Sequence, residues 1–113
     1  MKIITVLFFY LLINNSYCAT FEDAIAEGIK GNNYKAYSIL MPLAEQGNAD
    51  AQCLIGVMYN NGEGVETNKN EAFKWFKLAA EQGLSECQVE LAFIYQSMGK
   101  KNEAFKWSLL AAK

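Results

Sequence analysis

Few side chains in this chain can do chemistry. There are three cysteines, ten lysines, no arginine and no histidine. Without histidine the usual general base and the commonest metal ligand are missing. Cysteines this few, with no imidazole beside them, do not make a zinc site, so no metal and no cofactor is expected. Cys53 and Cys87 fall on neighbouring predicted helices, where a bridge is conceivable. Cys87, however, takes the packing position of Ala51, whereas Cys53 stands two residues further along its helix. A disulfide needs its Cα atoms within about 7 Å. The reading therefore favours two separate buried thiols. Ser97-Met98-Gly99-Lys100 matches a Ser-x-x-Lys nucleophile pattern, but no Ser-Asp-Asn or Lys-Thr-Gly partner accompanies it. It reads as a chance match at a helix end, and no enzyme is expected.

What remains is recognition. Cys53, Val57 and Asn60 lie at i, i+4 and i+7 on one helix, away from its core-facing set. Val89, Phe93 and Gln96 repeat them on a later helix. Together they predict an apolar strip with polar ends, suited to an extended or helical peptide segment. The glutamates Glu63, Glu66, Glu71, Glu81, Glu86 and Glu90 are spread as a solvated surface. The formal net charge is −2. Lys100 and Lys101 are too few for a phosphate-binding patch, and the missing arginine forks argue against nucleic acid.

The elements that position these residues are set by a repeat. Ala72 to Gly83 reads Ala-Phe-Lys-Trp-Phe-Lys-Leu-Ala-Ala-Glu-Gln-Gly. Ala36-Tyr37-Ser38-Ile39-Leu40 to Gly47 precedes it, and Ala104-Phe105-Lys106-Trp107 to Lys113 follows. Self-similarity of this period marks stacked supersecondary units. Helices are predicted from about Thr20 to Lys30, Tyr34 to Gln46, Ala49 to Asn60, Asn68 to Gln82, Ser85 to Met98, and onward to Lys113. Thr20 and Asp23 form a capping-box pattern, and Asn68 with Glu71 another. Pro42 is expected to bend the second helix. Ala51, Ile55, Met58 and Tyr59 make one apolar face, and Ala72, Trp75, Phe76, Ala79 and Ala80 another. The fifth helix repeats the third: Cys87 for Ala51, Gln88 for Gln52, Leu91 for Ile55, Ala92 for Gly56, Tyr95 for Tyr59.

The start of the chain is different. Lys2 precedes Ile3 to Ile13, where only Thr5 is polar. That run is too short to span a bilayer, which takes about 20 residues. With Asn14-Asn15-Ser16 after it, it reads as a secretory signal over residues 1–19. An exported, periplasmic or secreted chain with no stable membrane span is the expectation. Lipidation at Cys18 is disfavoured because Tyr17 before it is not small. Asn14-Asn15-Ser16 also matches a glycosylation sequon, but within the segment to be removed. Removing Lys2 leaves nine lysines against twelve acids, a net charge of −3.

Gly47-Asn48-Ala49-Asp50-Ala51-Gln52, Ile55 to Tyr59, Gly62-Glu63-Gly64-Val65, Ala72 to Phe76 and Ala79 to Gly83 resemble the Sel-1-like repeat, a cousin of the tetratricopeptide repeat. The resemblance covers nearly all of residues 20–113, with repeats at about 20–47, 48–83 and 84–113. It implies an all-α superhelix, a tetratricopeptide-like solenoid of three helix hairpins. It also implies a concave groove and an adaptor role, holding other proteins or peptide segments without catalysis. The last repeat lacks the Gly-x-Gly-Val loop. Its Trp107, Leu109 and Leu110 are expected to be partly bare, which makes self-association through the last helix a second contact mode. A cysteine-rich exported branch of the family implies the alternative, a cell-envelope protein that binds or weakly hydrolyses β-lactam or peptidoglycan-type ligands. That branch carries a cysteine in each helix of a pair, and here the second helices have none.

Overall fold

A computed structural model describes residues 19–113. The expected signal segment therefore lies almost wholly outside the described residues. Six helices follow one another: α1 (Phe21–Ile29), α2 (Asn33–Glu45), α3 (Ala49–Asn61), α4 (Lys69–Glu81), α5 (Ser85–Ser97) and α6 (Lys101–Ala111). Among the described residues there is no strand. Each helix packs on the one before and the one after, so the fold is an all-α stack of three hairpins.

Local sequence sets the helix ends. Thr20 and Asp23 form the reciprocal capping box, with the Asp23 amide donating to Thr20 Oγ1 and the Thr20 amide to Asp23 Oδ2. Asn48 caps α3 by accepting from the Ala51 amide, and Asn68 caps α4 by accepting from the Glu71 amide. The Glu71 carboxylate does not reach back to the cap as expected; Lys74 donates to it instead at 3.2 Å. Helices α2 and α4 end alike. Gly47 and Gly83 have φ of 98° and 96°, which only glycine adopts without strain. Their amides donate to Ala44 and Ala80, and those of Asn48 and Leu84 to Leu43 and Ala79, closing two Schellman motifs. Pro42 sits inside α2 and does not end it.

Two clusters form the core. One gathers Ala24 of α1, Ala36, Leu40 and Ala44 of α2, and Ala51, Ile55 and Met58 of α3. The other gathers Cys53 of α3, Ala72, Phe76, Ala79 and Ala80 of α4, and Cys87 and Leu91 of α5. The second is the first moved one repeat along. Trp75 packs on the first cluster and Trp107 on the second, so the tryptophans hold matching places. Buried polar groups repeat too: Gln52 Nε2 donates to the Ala44 carbonyl, and Gln88 Nε2 to the Ala80 carbonyl, each at 3.1 Å. Tyr59 meets the ring of Tyr37 edge-on at 5.9 Å between centroids, and Tyr95 meets Phe73 at 5.5 Å.

The repeats differ where the packing needs it. Gly56 lies against Phe76, and a Cβ there would come within 2.6 Å of the ring. Phe76 is buried and its ring cannot swing aside. In the next repeat Ala92 replaces the glycine and Ser108 the phenylalanine, so room is available. The loop after α3 also folds back. Gly64 lies so close to the Asn33 backbone that a side chain would collide with it. This contact accounts for the small residue in the Gly-Glu-Gly-Val loop.

Two outcomes follow from this packing. Gly56→Ala lowers stability by about 1–2 kcal/mol despite better helix propensity, because overpacking at Phe76 outweighs that gain. Ala92→Gly loses about 1 kcal/mol for the opposite reason, backbone entropy with no steric relief. Urea unfolding measures both. The Tyr37 phenol is pushed up to about 12, first by burial and then by its 2.9 Å hydrogen bond with Tyr59. The fold favours the neutral phenol, so its contribution is complete below the ordinary tyrosine pKa of about 10 and is lost as pH rises through the folded value. Tyr37→Phe therefore shows a shallower fall in unfolding midpoint across the alkaline window above about pH 10 than the parent chain.

Candidate interaction surface

The first helix of each pair, α1, α3 and α5, presents side chains that the core does not use. On α5, Val89 and Phe93 are 41% and 63% exposed, and Gln96 is exposed. They line a cleft of about 290 Å³ together with Ala92 and the α6 residues Ser108, Ala111 and Ala112. On α3, Val57 is half-buried and lines a second cleft of about 300 Å³ with Ile25 and Ile29 of α1 and Leu54 and Met58 of its own helix. Asn60 is half-buried, and the Lys69 ammonium donates to its carbonyl at 2.7 Å and to its Oδ1 at 2.9 Å. Among the predicted surface residues, the structure thus brings Val89, Phe93 and Gln96 to one cleft and gives Val57 another.

Cys53 departs from the expectation. It is 8% exposed and bonded to Cys87, with the Cα atoms 5.8 Å apart. The chain has a disulfide here where two free thiols were expected, and Cys53 is no free lining residue. The reason lies in helix geometry. Two residues along an α-helix turn the side chain by about 200°, so positions 51 and 53 face opposite ways. In a stack, the backward face of one first helix meets the forward face of the previous one. Cys87 points backward, as Ala51 does, and Cys53 points forward. The two-residue offset that argued against a bridge is what a bridge between successive repeats requires.

The remaining chemical candidates are occupied or dispersed. Ser97 donates its hydroxyl to the Ile94 carbonyl at 2.7 Å, an ordinary helix-end bond. Among the described residues no three His, Cys, Asp or Glu side chains gather as a metal site. Nor is any described helix long and apolar enough to cross a membrane.

The repeat unit that builds these clefts has known counterparts. The sequence profile of the Sel1 repeat matches residues 49–84 and 85–113. This chain belongs to the Sel1 repeat family. A putative sel1-like repeat-containing protein of Acanthamoeba polyphaga mimivirus is 44% identical over 66 residues, which is 58% of this chain and 12% of that protein. A crystal structure of a Sel1 repeat protein from Oxalobacter formigenes superposes with a TM-score of 0.77 at 35% identity, covering 82% of this chain and 40% of that one. The chain therefore spans less than half the length of either. What the profile and the superposition share with this chain is the helical-repeat scaffold.

The disulfide closes a loop with a sequence separation of 34. Constraining the unfolded chain over such a loop is worth about 4 kcal/mol. Reduction, or the paired variant Cys53→Ala with Cys87→Ala, lowers the unfolding free energy by about that amount. Denaturant titration with and without reductant measures it, and the paired variant shows no reductant effect.

Proposed function

We propose that this chain is an exported, non-catalytic adaptor that holds peptide segments of other proteins on the face made by its first helices. The observation that carries the reading is Phe93. A large aromatic side chain stands 63% exposed over a cleft, beside Val89 and Gln96, while Leu91 and Cys87 of the same helix fill the core. Exposed aromatic groups at the centre of apolar patches are the usual anchors of protein contacts. Val57 and Ile25 around the second cleft extend the apolar surface toward the first repeat. The exposed Phe105, Leu109 and Leu110 of α6 add a further contact face, for a protein partner or a second copy.

Export is supported by the apolar run Ile3 to Ile13 behind Lys2 and by a disulfide, which persists in oxidising compartments. Protein rather than nucleic acid as the partner is supported by the net charge of −2 and the lack of arginine.

Phe93→Glu abolishes capture of partner proteins from an envelope extract while leaving the far-UV circular dichroism and unfolding midpoint within error of the parent. A variant that loses its helical signal would instead make Phe93 part of the core. Unchanged capture would remove this face from the binding surface.

A further inference from the structure

The three pairs meet at two joints, and the joints are not held alike. At the first, where α3 follows α2, the Tyr37 and Tyr59 hydroxyls share a hydrogen bond of 2.9 Å. Leu54 of α3 packs against the first cluster. The loop after α3 adds a clamp: Gly64 lies against the Asn33 backbone, and Val65 packs on the same cluster. At the second joint, where α5 follows α4, each of these is thinned. Phe73 stands where Tyr37 stands and has no hydroxyl to offer Tyr95. Glu90 stands in the place of Leu54. Residues 98–100 join α5 to α6, against 62–68 after α3, and they carry no counterpart of Gly64 and Val65. Phe76 is larger than its counterpart Leu40, but its ring lies against Gly56 of its own pair.

What the second joint has instead is covalent. Ala24, Gly56 and Ala92 hold one register on the three first helices, and counting from them Phe21 is the counterpart of Cys53. Phe21 and Ala51 therefore take at the first joint the places of Cys53 and Cys87 at the second. The first of these couples is packed, the second bonded. Without its bond the second joint keeps Leu91 over Phe76 and Ala80, the Gln88 hydrogen bond and the Phe73–Tyr95 edge contact. The first joint has the equivalents of all three, and the tyrosine bond, Leu54 and the loop clamp besides.

We propose that the second joint is a redox-controlled latch. With the bridge closed, α5 and α6 come away from α4 only when the whole stack unfolds. With the bridge reduced, they open as a unit of their own, while α1, α2 and α3 stay stacked. Sub-global opening of this kind follows the weakest boundary between cooperative units. The co-reactant is a dithiol. Cys53 is 8% exposed and Cys87 is sealed, so the incoming thiolate attacks Cys53 Sγ. The S–S bond breaks, and Cys87 leaves as a thiolate and takes a proton. The second thiol of the reductant then displaces Cys53 from the mixed disulfide. In sum the two cysteines gain two electrons and two protons, and the dithiol becomes a disulfide. Opening uncovers Phe76 and Leu91 and parts Val57 from Phe93, which lie on opposite sides of the joint.

The test is amide hydrogen exchange of the full chain, read helix by helix through its peptic fragments, before and after reduction by dithiothreitol. Reduction should speed exchange in α5 and α6 about tenfold or more and leave α1 and α2 within error. Cys53→Ala with Cys87→Ala should show the fast pattern without reductant and no further response to it. Phe73→Tyr with Glu90→Leu, which copies Tyr37 and Leu54 of the first joint, should shrink the rise. No rise on reduction overturns the proposal. An equal rise from α1 to α6 also overturns it, since the bridge would then act on the whole chain. So does an undiminished rise in the Phe73→Tyr, Glu90→Leu chain, because thin packing would not be the cause. The exchange pattern involves no partner, so each of these outcomes leaves the adaptor reading where it stands.

Discussion

The structure depends on one constraint: no hairpin in this chain can bury its own forward face. Phe76, Ala79 and Ala80 are sealed only because Cys87 and Leu91 of the next helix lie over them. Leu40 and Ala44 are sealed by Ala51 and Ile55 in the same manner. Small residues at 51 and 87 let the helix axes come close, and branched residues one turn later fill the space behind them. The order of the stack is a consequence of this hand-over from one pair to the next, as expected for quasi-one-dimensional proteins.

The differences between repeats follow from the same constraint. Where Phe76 is large, Gly56 gives way; where Ser108 is small, Ala92 is allowed and a cleft opens. Core volume is kept at the second interface, whereas Ser108 leaves space between α5 and α6. The bridge between Cys53 and Cys87 ties together the first helices of two successive pairs. It fixes their spacing, and with it the alignment of Val57 relative to Phe93 on the candidate surface.

Much of this was legible in the residues. The repeat of Ala-Phe-Lys-Trp-Phe places α4, and matching it to its neighbours places α2 and α6. Thr20, Asn48 and Asn68 mark helix starts, while Gly47 and Gly83 mark ends, because capping and left-handed turns are local chemistry. The correspondence of Ala51 with Cys87 and of Gln52 with Gln88 is read from register alone. The bridge was not legible in that register, since aligning repeats puts equivalent positions side by side, whereas contacts join opposite faces of successive helices. For the same reason Cys53 read as surface when it is interior. Glu71 was assigned to the cap by pattern, but Lys74 one turn on competes for its carboxylate. The cleft at Phe93 depends on the volume difference between Phe76 and Ser108, which periodicity does not weigh.

The claim that each pair stands only by leaning on its neighbour is tested most directly with residues 84–113 made as a separate peptide, compared by far-UV circular dichroism with the same residues in the intact chain. The account predicts that the separate hairpin, deprived of Phe76 and Ala80 beneath Leu91, loses most of its helical signal and melts without a cooperative transition. A separate hairpin that keeps full helicity and unfolds cooperatively would contradict it.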